Sequence, residues 1–135
     1  MLTLLLACTS GPDSAIPAEA LCETETRAGP LNVQDRFVGD QGFEVEVTSL
    51  DPDPVIVGYN QWVISLEGHQ DCNVGVATEM PDHGHGAGLG ASWVEEDELH
   101  LQDLYLSLGG YWEIHLAIAC PDASDGLTIP LCLEP

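Results

Sequence analysis

From about residue 41 onward, apolar and polar side chains alternate with a period of two, the spacing of a strand with one face buried. "FEVEVTSL" (43–50) sets Phe43, Val45 and Val47 on one side and Glu44 and Glu46 on the other. "NQWVISLEG" (60–68) repeats the pattern with Trp62, Ile64 and Leu66, and "CNVGVATEM" (72–80) with Val74, Val76, Thr78 and Met80. "DPDPVIVGYN" (51–60), bounded by proline and glycine, reads as the loop between the first two. "ASWVEEDELHLQDLYLSL" (91–108) reads as two strands about an acidic turn at Glu95–Asp97. Its inward parity moves from Leu99 and Leu101 to Leu104, Leu106 and Leu108, which predicts a β-bulge near Gln102–Asp103. "GGYWEIHLAIAC" (109–120) is the clearest strand, with Trp112, Ile114, Leu116 and Ile118 inward and Tyr111, Glu113 and His115 outward. "LTIPLCLEP" (127–135) closes the series as an edge strand, where Pro130 is tolerated.

No helical periodicity of useful length accompanies these segments. About seven short strands with turns every 8–12 residues predict an all-β fold, an immunoglobulin-like antiparallel β-sandwich. A chain of 135 residues has room for one such core.

The first forty residues lack the alternation. "MLTLLLAC" is short and apolar, and its Leu5-Leu6-Ala7-Cys8 end resembles the lipobox of bacterial lipoproteins. That resemblance implies an export signal over residues 1–8, a lipid on Cys8 and a membrane-anchored place in the cell envelope. It departs from the usual pattern in having no Lys or Arg before the apolar run, and the run is shorter than the usual 7–15 residues or so. "TSGPDSAIPAEA" (9–20) is polar, small and proline-containing, so residues 9–40 read as a flexible tether and lead-in to a domain at 41–135.

With Cys8 set apart, Cys22, Cys72, Cys120 and Cys132 remain, an even number in an exported chain, which implies two disulfides. No C-x2-C spacing suggests a zinc or iron–sulfur site. If the strands run alternately up and down, Cys72 and Cys120 fall at one end of the sandwich. That favours Cys72–Cys120 and leaves Cys22–Cys132.

The charge removes one class of partner. Arg27 and Arg36 are the only basic residues against 23 acidic ones, for a net charge of -21. Nucleic acid is repelled, because binding it requires Lys and Arg to displace counterions. An enzyme is not indicated either. The cysteines are committed to disulfides, the acids lie on turns and outward positions, and no phosphate-binding glycine loop precedes a helix.

The candidate chemistry lies in "MPDHGHGAG" (80–88). Met80, His83 and His85 fall within six residues, and Gly84 and Gly86 let the chain turn tightly. Thioether with imidazole suits copper, and Asp82 would supply a carboxylate for zinc. Against this, Met80 shares the inward parity of Val74 and Val76, and histidine–glycine pairs are ordinary turn residues. His69, His100 and His115 fall in a turn or on solvated strand faces.

"GYNQWVISL", "ATEMPDHGHGAG" and "LYLSLGGYWEIHLAI", in that order, resemble the YtkA-like/FixH-like family of exported β-sandwich domains. The resemblance places Gly58 and Asn60 on an opening strand, Met80, His83 and His85 on a metal loop, and Gly110 and Trp112 on a late strand. It implies copper handling in an accessory or metallochaperone role, beside the membrane and another envelope protein. The chain departs from the family where a second loop methionine is common, since Ala87–Leu89 stand there, which counts against high-affinity Cu(I) and leaves Cu(II) or a purely structural loop. The alternative is a structural or protein-interaction sandwich that binds no metal.

Overall fold

In a computed structural model, which describes residues 18–135, the alternating segments become strands and a short one precedes them, eight in all. They are β1 (Arg36–Val38), β2 (Glu44–Asp51), β3 (Gly58–Ser65), β4 (Asn73–Glu79), β5 (Gly88–Glu95), β6 (Glu98–Leu106), β7 (Gly110–Ala119) and β8 (Ser124–Leu133). All pair antiparallel, in a five-stranded sheet ordered β1-β2-β3-β6-β5 and a three-stranded sheet ordered β4-β7-β8. Without β1, these orders are the ABED and CFG sheets of a constant-type immunoglobulin sandwich, so the fold predicted from alternation is the one formed.

The core lies between the two inner faces, where Val45, Val47, Ile64, Leu99, Leu104, Ile114 and Ile129 are fully buried. An immunoglobulin domain joins its second and sixth strands there with a disulfide. Here the corresponding β3 and β7 carry no cysteine within the core and instead bury Trp62 and Trp112.

The predicted bulge is present. The β3–β6 register pairs Asn60 with Leu104 but Trp62 with Leu101, and Asp103 takes a left-handed φ of 55°. Gln61 satisfies the bulged residue: its Oε1 accepts from the Asp103 N–H at 2.9 Å and its Nε2 donates to the Asp103 carboxylate at 3.2 Å. Leu108 corrects the expectation. It lies beyond the end of β6 and is 45% exposed. A second register shift, between Val47 and Ser49, bends β2.

The loop before β3 is held by Asn60, a fully buried polar side chain. Its amide accepts from the Ile56 N–H at 3.1 Å and donates to the Ile56 and Gly58 carbonyls at 2.9 and 3.0 Å, so its burial leaves little unsatisfied.

Residues 18–40 are built into the sandwich rather than serving only as tether. A 3-10 helix spans Ala18–Glu23, and Cys22 within it is bonded to Cys132 on β8. The Cys132 N–H donates to the Gly29 carbonyl, Leu31 is buried, and residues 34 and 35 bond to the backbone of Val47. The second disulfide joins Cys72 to Cys120 just past the last β4–β7 pair, Asn73 with Ala119. Both pairings are those favoured from strand direction. Two disulfides mark an oxidising, exported environment. No helix among the described residues is long and apolar enough to cross a membrane. The apolar N-terminus, the rest of the expected tether and Cys8, the residue expected to carry a lipid, lie outside the described residues.

Candidate functional site

The Met/His loop grows out of the end of β4 and closes on itself. Met80 and His85 form an isolated antiparallel bridge, with the Met80 N–H donating to the His85 carbonyl at 2.7 Å. The Met80 carbonyl in turn accepts from the N–H groups of His83 at 3.0 Å and Gly84 at 2.9 Å. Gly84 sits at φ +72°, a conformation that glycine adopts without strain. The loop is therefore a tight turn pinned at both ends to one residue.

Parity decides where its side chains go. Met80 points inward and is 1% exposed, and its methyl occupies the place where a side chain on Gly110 would stand. Gly110 thus makes room for Met80, and the Trp112 indole N–H, donating to the Leu108 carbonyl at 2.9 Å, closes the turn beside it. His83 and His85 are exposed, with ring centroids 5.9 Å apart, and His85 stands edge-on to Trp112 at 6.1 Å. Two imidazoles on one ion with metal–nitrogen bonds of about 2.0–2.1 Å have centroids roughly 5–6 Å apart, and the 5.9 Å spacing lies at the wide end of that range.

Asp82 is engaged elsewhere. Both its carboxylate oxygens accept from Arg27, at 3.0 and 2.7 Å, and these hydrogen bonds hold its carboxyl below the usual range. Arg27 also grips Glu25 at 2.7 Å, a hydrogen bond that draws that carboxyl down to about 2. Of the sequence candidates, the structure brings the two histidine rings together, sets Met80 beneath them in the core, and assigns Asp82 to an arginine.

A second cluster lies on the outer face of β4, β7 and β8. The Nε2 of His115 is 3.2 Å from a Glu79 oxygen and 3.3 Å from a Glu113 oxygen. Its Nδ1 is 2.8 Å from the Thr128 hydroxyl. Glu113 accepts a further hydrogen bond, at 2.7 Å, from the Tyr111 hydroxyl. Alternation places Tyr111 on the outward face, yet it is 7% exposed because Arg27 lies over its ring. Burial first, and Glu113 second, push the Tyr111 hydroxyl up to about 12, so it stays a donor. Glu113 and His115 sit two apart on one face, a visible signal in sequence, but Glu79 joins them only through the pairing of β4 with β7.

The other histidines are held by neighbours. His69 stacks on Phe43 at 4.5 Å and faces Asp122 at 3.2 Å, while the nearby Cys120 sulfur is committed to Cys72. His100 stacks flat on Trp93 at 5.0 Å. A shallow groove of about 870 Å³ runs between the β1–β2 turn and the outer face of β7 and β8, with His115 and Thr128 along its wall.

No family model, curated protein or solved structure matches the chain.

Proposed function

We propose that this protein is an exported envelope lipoprotein whose sandwich presents His83 and His85 as a copper-binding pair, in an accessory or metallochaperone role. The observation that carries the reading is the 5.9 Å spacing of two exposed imidazoles on a turn already fixed by Met80. A preformed pair loses less freedom on taking an ion than a floppy loop would. Three further features agree with it. The -21 charge concentrates cations near the surface, the two disulfides fit an oxidising compartment, and the order of motifs resembles the YtkA-like family. Two histidines without a second methionine suit Cu(II) at least as well as Cu(I).

Anchoring rests on Cys8: a Cys8→Ser variant is expected to leave the membrane fraction for the soluble one. The metal is tested by titrating Cu(II) and Cu(I) into the oxidised protein and into a His83→Ala/His85→Ala variant. Loss of one copper equivalent in the variant is the expected result, and equal uptake by both proteins would sink the site. The rival reading, a protein-interaction sandwich without metal, draws on the Arg27–Asp82 pair, which locks the loop with no ion. Absence of copper uptake by the wild-type protein itself would favour it.

A further inference from the structure

We propose that Glu79, Glu113 and His115 form a separate cation site on the outer face of the three-stranded sheet, suited to a divalent ion of the zinc class. The first argument is electrostatic. Glu79 and Glu113 are direct cross-strand partners, and like charges set opposite each other destabilise a sheet. In a chain of net charge -21 the two carboxylates share one imidazole, that of His115, and a bound cation would relieve their repulsion.

The second argument is geometric. The His115 Nε2 lies 3.2 and 3.3 Å from one oxygen of each glutamate, and all three ligand atoms fall within 4.8 Å of one another. Around tetrahedral zinc, with bonds of about 2.0–2.2 Å, neighbouring ligand atoms stand roughly 3.3–3.5 Å apart. The two distances from the imidazole nitrogen already match that spacing.

The third argument is the support behind the ligands. A metal-binding histidine characteristically gives its other ring nitrogen to a fixed partner, and metal-binding carboxylates are themselves hydrogen-bonded. Here Thr128 meets Nδ1 at 2.8 Å and turns Nε2 toward the carboxylates, while the Tyr111 hydroxyl holds the far oxygen of Glu113 at 2.7 Å. Three protein ligands leave a fourth position open, as in zinc sites that bind an exchangeable ligand. The side chains of His115, Glu79 and Glu113 are 35%, 52% and 26% exposed, so solvent or a small anionic ligand reaches them. Calcium and magnesium fit less well, since they seek six or more oxygens and no imidazole.

Zinc chloride titrated into the oxidised full-length protein, followed by calorimetry and by melting temperature, tests the site. Zinc is expected to bind and raise the melting temperature in the wild type and in His83→Ala/His85→Ala, which makes the result independent of the copper loop. His115→Ala and Glu79→Gln should each lose zinc while melting normally without it. Thr128→Val should weaken zinc about 10-fold or more by freeing the imidazole. Zinc binding that survives in folded His115→Ala and Glu79→Gln would overturn the proposal, and so would its absence from the wild type. The latter outcome would leave the cluster as a hydrogen-bonded set of one imidazole and two carboxylates.

Discussion

The guanidinium carbon of Arg27 lies 4.0 Å from the centroid of the Tyr111 ring, while the same guanidinium holds Asp82 through two hydrogen bonds. One of the two basic residues of the chain thus joins the lead-in segment, the Met/His loop and β7. The other, Arg36, is shared among Glu44, Glu46 and Glu67. With so few cations available, each serves several carboxylates, and its loss is felt at more than one place.

Arg27→Ala should loosen the segments it joins while leaving the core intact. Exposed ion pairs contribute little to global stability, so the melting temperature should change by only a few degrees. Amide exchange at His83 and Gly84 should quicken, because the turn loses its Asp82 tether. Hydrogen exchange by mass spectrometry reads this directly, and unchanged protection over residues 80–85 would count against Arg27 as the tether.

Asp125 makes the fold sensitive to acid. Its Oδ2 accepts from the Gln41 and Phe43 N–H groups at 2.8 and 3.0 Å, drawing the β1–β2 turn onto β8. Burial works to raise its carboxyl, but the backbone donors of Phe43, Gln41, Gly126 and Asp40 outweigh it and the net shift is downward. A depressed carboxyl contributes stability that is fully present above its unfolded value of about 3.9 and lost as pH falls through the folded value. Asp125→Asn should accordingly melt below the wild type at pH 7, and the gap should close below about pH 4. A gap that persists undiminished at pH 2–3 or so would exclude this linkage.

Removing the disulfides should reveal their different reach. Cys22–Cys132 closes 110 residues and Cys72–Cys120 closes 48. Loop-closure entropy assigns them about 5 and about 4 kcal/mol respectively. The Cys22→Ala/Cys132→Ala variant should lose slightly more stability in urea and should expose residues 21–31 to exchange. Cys72→Ala/Cys120→Ala should loosen only the ends of β4 and β7. The reverse pattern of exchange would contradict these roles.

Much of this architecture is readable in the chain because burial has a period. The slip from Leu101 to Leu104 announces the Asp103 bulge, since an extra residue must flip parity for leucines to keep facing the core. The same logic applies to Val47 and Leu50, but Leu50 is followed at once by Asp51–Pro54, so no second inward series reveals the slip. Strand β1 has three residues and only Phe37 packs against the core, so no periodic signal exists to find. Leu108 misleads because it follows an inward series without belonging to the strand. The His83/His85 pair is local in sequence and therefore visible. The Glu79–Glu113–His115 cluster depends on strand pairing across more than thirty residues, which alternation alone does not specify.

Met80 separates anchoring from ligation. With 1% exposure, and its methyl against Gly110, its truncation should leave a cavity. Met80→Ala is expected to cost about 2–5 kcal/mol, the range for large-to-small changes in a packed core. Met80→Leu nearly conserves volume and should cost less than about 1.5 kcal/mol while removing the sulfur. A buried thioether beneath two exposed imidazoles acts first as the turn's foundation, so Met80→Leu should keep wild-type affinity for Cu(II). Copper titration of that variant beside its urea unfolding curve checks both halves of the argument. A stable Met80→Leu protein with sharply weakened copper binding would show instead that the sulfur turns outward to join the histidines.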